Sequence, residues 1–215
     1  MLYFNCSNEL PAVLSQYPPA PDWLRGTWNE KNWLNVPGPI YGAETDTCCT
    51  GAVVAPANVL YDGRGQEFVW KQPQNSVELN CVIEAAWNDP LGGYNVDGDD
   101  HWTHELVTEW WLDRRQIRQW ITDAVAASPV RAQGASQAGL SDDVTPIALN
   151  YADYLASQEL EHYLRRYLFL LQERRAPGMN DSLPGLPPAE STWRKRPQLG
   201  SGIDGNKLPA AVKAV

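Results

Sequence analysis

The sequence predicts an α+β fold, mainly helical, with a small antiparallel hairpin and long irregular loops. Three observations carry this. Apolar residues recur at helical spacing over 103–127 and again over 146–175. The turn "DGRG" at 62–65 separates two β-rich runs, "VLY" and "EFVWKQ". The first fifty residues are instead broken up by Pro and Trp, as in "YPPAPDWLRGTWNEKNWLNVPGPIYG", which leaves room for short helices only.

Taken in order, Ser7 or Asn8 caps a short helix running through Ser15, and Asp22 caps a second one starting at Trp23. The hairpin follows, its second strand ended by Pro73. Ser76 then caps "VELNCVIEAAW", with Val77, Cys81, Val82, Ala85 and Ala86 on one face, until "NDPLGG" stops it. Thr103 caps the long helix that ends near Ala127, before Pro129. At 100° per residue Leu106, Val107, Trp110, Ile117, Trp120, Ile121 and Val125 gather into its core stripe. From 146 to 175 the apolar phase changes: Ile147, Tyr151, Tyr154 and Leu155 share one face, whereas Leu160, Tyr163, Leu164, Tyr167 and Leu171 share nearly the opposite one. Two helices meeting near Ser157 account for this, the first capped by Thr145 with Pro146 at its first position. Glu161 and Arg165 stand in the favourable i,i+4 order. The helical pattern therefore describes one globular domain, residues 1–175. Residues 176–215 read as a Pro/Gly-rich arm anchored by Trp193, or as a disordered tail.

The chain of 215 residues carries a formal net charge of −9. Residues 176–215 hold five Lys/Arg and three Asp/Glu, so residues 1–175 hold 12 bases against 23 acids, a net −11. That excess disfavours direct nucleic-acid binding and favours a cationic partner. The four cysteines, Cys6, Cys48, Cys49 and Cys81, form no CxxC pair, and the vicinal Cys48 and Cys49 do not make an ordinary bridge with each other; a reduced, cytoplasmic setting is expected. "MLYFNCSNELP" has no cationic segment leading into an apolar run, and "YLFLL" at 167–171 is too short to span a bilayer, so no membrane association is expected.

Chemistry concentrates in "GGYNVDGDDHWTHELVTEWW", residues 92–111. Asp97, Asp99, His101 and His104 offer donors for a divalent metal, but the spacing misses the templates. An EF-hand loop read from Asn95 needs Gly at 100 and Glu at 106, where the chain has Asp100 and Leu106, and HExxH needs a second His where Thr108 stands. A glycosidase-like pairing of Glu44 with Asp99 beside Trp platforms is uninformative in a chain with 26 acids. No GxSxG, GxGxxG or Walker sequence occurs. "ETDTC" and "VDGDD" have the composition of loops whose side chains close their own turns. On the long helix, Glu105, Glu109 and Asp113 line one flank and Arg114, Arg115 and Arg118 the other, which points the acids toward partners off the helix.

The segments "NVPGPIYGAETDTCCTG", "FVWKQP", "AAWNDPLGGYNVDGDDHWT" and "YLFLLQERR" resemble a family of uncharacterised bacterial proteins, largely actinobacterial, over roughly residues 1–187. The resemblance implies no activity and supplies no catalytic residues. By class analogy the chain is similar to immunity proteins, small acidic cytoplasmic proteins that neutralise toxins in interbacterial competition. The expectation is a binding protein rather than an enzyme, with no cofactor. It meets a cationic toxin domain through Asp97, Asp99, Asp100, Glu105, Glu109, Asp113, Glu44 and Asp46. The alternative is a metal-assisted hydrolase or transferase on Asp97, Asp99, His101 and His104. A carbohydrate-binding module using exposed Trp is less consistent with the helical pattern.

Overall fold

A computed structural model describes residues 3–131 and 145–188. The fold is α+β and mainly helical. Seven helices, α1 (Cys6–Leu14), α2 (Thr50–Val54), α3 (Ser76–Asn88), α4 (Gly98–His101), α5 (His104–Arg131), α6 (Thr145–Tyr154) and α7 (Gln158–Glu173), surround two antiparallel strand pairs among the described residues. Strand β1 (Tyr41–Gly42) pairs with β4 (Tyr94–Asn95), and β2 (Val59–Tyr61) with β3 (Glu67–Val69).

The β2–β3 hairpin turns on Asp62, whose Oδ1 accepts from the Arg64 and Gln66 amides at 2.8 and 3.1 Å. Its second strand stops at Val69, short of the expected "WKQ", because the Trp70 amide turns to the Asn58 carbonyl. Alternation along the hairpin divides the core. Leu60 and Phe68 enter an apolar cluster with α5, α6 and α7, while Val59 and Val69 enter a second one with α1 and α3. The two pairs are joined through a side chain, Asn35, which is 2% exposed. Its Oδ1 accepts from the amides of both Gly42 and Val69, at 3.0 and 2.8 Å, and its Nδ2 donates to the carbonyls of Asn32 and Gly42. Gly42 permits this approach, since a Cβ there would collide with the Glu67 carbonyl oxygen.

Several local expectations need correction. The cap of α1 is Asn5, which enters in extended conformation and accepts from the Ser7 amide at 3.2 Å; the Ser7 hydroxyl is engaged elsewhere. No helix starts at Trp23. Ala20–Asp22 make one 3-10 turn, after which the amides of Arg25 and Gly26 bond to the carbonyls of Gly92 and Tyr94, drawing the chain into an extended path. Asn75, not Ser76, caps α3. Its buried face is Leu79, Val82, Ile83, Ala85 and Ala86, with Val77 73% exposed, so the stripe lies one position further round than expected. Helix α5 has the expected Thr103 cap, its Oγ1 accepting from the Leu106 amide, and continues past Pro129 to Arg131. The α6–α7 break falls at Ser157, whose hydroxyl caps Leu160 at 3.2 Å. Thr145 is itself the first residue of α6, with Pro146 second.

Residues beyond 175 also contact the helices. Residues 176–188 fold back over α5 and α7: Arg165 donates to the carbonyls of Pro184 and Leu183 rather than pairing with Glu161, and the Trp111 indole donates to the Pro187 carbonyl at 2.9 Å. Trp193, the expected anchor, lies outside the described residues.

Candidate functional site

The DGDDHWTHE segment forms a corner where β4 ends, α4 makes one turn and α5 begins. Gly98 sets its position. The Gly98 amide donates to the Pro39 carbonyl at 2.9 Å, and a Cβ at Gly98 would collide with the Gly38 carbonyl oxygen, so the Asp-Gly-Asp and Pro-Gly-Pro stretches lie directly against each other.

Two of the acids, both part-exposed, are engaged by side chains of the fold. Asp97 accepts from the Tyr41 hydroxyl at 2.8 Å through Oδ1, and its Oδ2 faces His101 Nε2 at 3.2 Å. Asp99 accepts from Ser7 at 2.5 Å and from Tyr167 at 2.8 Å, and so ties α4 to α1 and α7. Burial, with the facing carboxylates adding to it, pushes the hydroxyls of Tyr41 and Tyr167 up from their ordinary range, so both stay protonated donors. His101 stacks on Trp28, with ring centroids 4.9 Å apart. Trp28 also meets Trp102 edge-on at 5.0 Å, and Trp102, 7% exposed, anchors the corner.

The remaining acids lie apart from these partners, and Glu109 and Asp113 make contacts of their own. Asp100 and Glu105 are exposed, Glu109 is half-buried and Asp113 exposed along α5. Hydrogen bonds from its own backbone and from Thr103 hold the Glu105 carboxyl below its usual value. Glu44 and Asp46 do not join this group. Ala43 bonds to Gly93 and Gly98 to Pro39, which puts the two sets of acids at opposite ends of the β1–β4 ladder. Glu44 is exposed there, and Asp46 closes its own loop by accepting from the Cys48 amide at 3.1 Å.

No family model, curated protein or solved structure matches this chain. Among the described residues no three His, Cys, Asp or Glu side chains are grouped to hold a metal ion. Of the four candidate ligands, Asp97 and Asp99 are directed to different partners, and His101 lies flat on Trp28. Nor does any described helix reach the length and apolarity needed to cross a membrane.

Sequence reasoning missed the groups that brace the corner. Ser7, Tyr41 and Tyr167 lie 92, 56 and 68 residues from their carboxylates, beyond the reach of any local pattern. It also missed a cation inside the acidic region. The Lys31 ammonium sits 4.5 Å over Trp28 and 5.6 Å over Trp102, and burial lowers its pKa. Neighbouring polarity, with "NEKNW" next to Trp28, is the only trace of this in the sequence.

Proposed function

We propose that this protein is a cytoplasmic, non-enzymatic binding protein of the immunity type, which occludes a cationic toxin domain with the acidic edge formed by Asp100, Glu105, Glu109 and Asp113. One observation carries the reading: the corner's inner acids, Asp97 and Asp99, are held by Tyr41, His101, Ser7 and Tyr167, while Asp100 and Glu105 stand outside on the same braced backbone. A fixed backbone presenting charge costs less ordering on association than a flexible loop, and like-signed charge on one edge steers an oppositely charged partner. Asp97 and Asp99 are then positioning residues, and Glu44 and Asp46 lie off this edge.

The neighbouring gene supplies the partner to test: a modular toxin there fits this reading, and a metabolic operon counts against it. The triple variant Asp100→Lys, Glu105→Lys, Glu109→Lys, checked for folding by circular dichroism, is expected to associate with that toxin domain about tenfold more slowly or worse at low salt, and to lose protection. Unchanged association and protection in a folded variant overturn the proposal.

A second reading is favoured by the hydrogen-bonded chain Tyr41–Asp97–His101. A carboxylate that orients an imidazole is half of a general-base device, one that would activate water in a hydrolase built there. A hydrolytic activity abolished by His101→Ala, with folding intact, would put this reading first.

A further inference from the structure

Just after α1, Tyr17 packs against Trp23 and against Trp87 near the end of α3. Ring centroids are 5.3 Å apart for Tyr17–Trp23, 5.6 Å for Tyr17–Trp87 and 5.4 Å for Trp23–Trp87. Trp23 is buried and its indole donates to the Pro18 carbonyl at 2.9 Å, whereas Trp87 is 42% exposed. Gly92 lies against the Trp23 carbonyl, which places Leu91, 57% exposed, beside the rings. Tryptophan is ordinarily well buried, so an open indole next to an open leucine marks a contact surface rather than scattered apolar exposure.

The surface is held in place. Asp89 accepts from the Leu91 and Gly93 amides at 3.1 and 2.6 Å, and Arg25 donates to the Leu91 carbonyl at 2.9 Å. A partner therefore meets it at little ordering cost. Its polar tips are open as well: among the described residues neither the Trp87 indole N–H nor the Tyr17 hydroxyl has a hydrogen-bond partner. Burial, with the Glu84 carboxylate adding to it, raises the pKa of the Tyr17 hydroxyl, which stays a protonated donor.

Charge selects the occupant. Glu84 stands one turn before Trp87 on α3, Asp22 adjoins Trp23, and Glu44 follows Ala43, whose amide donates to the Gly93 carbonyl. All three acids are exposed. Against them stands Arg25, whose guanidinium is engaged by the carbonyls of Pro90 and Leu91. A second copy of the chain would set these acids against themselves, and an anionic membrane or a nucleic acid would be repelled. The rings touch one another, which leaves no room between them for a single caged cation.

We propose that this surface binds an extended, proline-containing peptide segment with Lys or Arg beside its prolines, the pyrrolidine rings lying on Trp87 and Tyr17 and the basic side chains meeting Glu84 and Glu44. A polyproline II strand has no internal hydrogen bonds, so its carbonyls are free to accept from the indole and the phenol. Prolines also bring rigid apolar faces at low entropic cost. The 5.6 Å from Tyr17 to Trp87 matches about two residues of such a strand at roughly 3.1 Å each. None of the acids of the α5 edge is used, so the surface stands whether or not that edge meets a toxin.

The experiment is a ¹H–¹⁵N NMR titration of the full chain, following the Trp87 indole N–H and the Leu91 amide. The probes are the capped hexapeptide Arg-Pro-Leu-Pro-Pro-Arg, one counterpart with both Arg replaced by Glu, another with every Pro replaced by Ala, and the neutral sugar cellohexaose. The first peptide is expected to give saturable shifts with a Kd below about 1 mM, and each counterpart to bind about tenfold more weakly or worse. Trp87→Ala is expected to weaken binding about tenfold or more, as loss of an aromatic anchor does. Glu84→Lys, at an exposed position that keeps the test open if Trp87→Ala does not fold, is expected to weaken it severalfold, less so at high salt. No saturable shift with the first peptide overturns the proposal, as does equal binding of either counterpart or unchanged binding in a folded variant. Shifts of equal size with cellohexaose would assign the rings to a carbohydrate, and shifts that follow protein concentration without peptide would assign them to a second copy; either result overturns it too.

Discussion

Replacing Asp99 with Ala tests whether the acidic corner is built from beneath. Asp99 accepts from Ser7 at 2.5 Å and Tyr167 at 2.8 Å, and Tyr167 is fully buried. A hydrogen bond to an ionised group contributes about 1.5–3 kcal/mol, and a buried hydroxyl left without an acceptor costs about 1–3 kcal/mol. Ser7 is only half-buried, so water replaces part of its share. The sum is a destabilisation of about 3 kcal/mol, which for a chain of this size is a Tm lower by about 6–12 °C. The assay is urea unfolding followed by tryptophan fluorescence, run on Asp99→Ala, Tyr167→Phe and the double variant. In the Tyr167→Phe background the Asp99 change should cost about 1–2 kcal/mol less, because the orphaned hydroxyl is gone. A loss below about 0.5 kcal/mol, ordinary for a surface position, would refute the bracing argument, and so would equal losses in both backgrounds.

Two further outcomes follow from the interior. Glu67 is 1% exposed; burial raises its pKa, against the lowering effect of hydrogen bonds from Tyr94 and the Gly51 amide. A raised folded pKa means stability that is complete below the unfolded value of 4.5 and is lost as pH rises through the folded one. Glu67→Gln can keep the Gly51 bond through its oxygen and donate its amide to Tyr94, so its unfolding free energy, measured from pH 4.5 to 8, should lack that decline relative to the parent; parallel curves contradict this. Gly42→Ala forces a methyl group against the Glu67 carbonyl and is expected to cost about 1–3 kcal/mol in the same unfolding assay, an effect that a neutral result would rule out.

Legibility in the sequence followed the range of the signal. Helices α5 and α7, the Ser157 break and the hairpin were readable because periodicity, capping and turn chemistry act within a few residues, and the core stripe of Val107, Trp110, Ile117 and Ile121 is buried as expected. The β1–β4 pair was not readable. Two residues per strand carry no alternation, and their pairing joins segments about fifty residues apart. The α1 cap went to Asn5 because Ser7 has a stronger acceptor in Asp99, a competition that no local rule contains. The acids of 97–105 were found as a group, but their division into inward and outward members depends on Tyr41, Tyr167 and Ser7, each supplied from a distant part of the chain.

Asn35 links the opening of two parts of the molecule. The amides of Gly42 and Val69 belong to different sheets, yet both donate to the same side-chain oxygen. A rotation about the Asn35 side-chain bonds would release both at once, together with its own two bonds to the carbonyls of Asn32 and Gly42, so the two amide protons are expected to exchange with solvent together. Two sheets that are independent by their strand pairing thus share a single side-chain link.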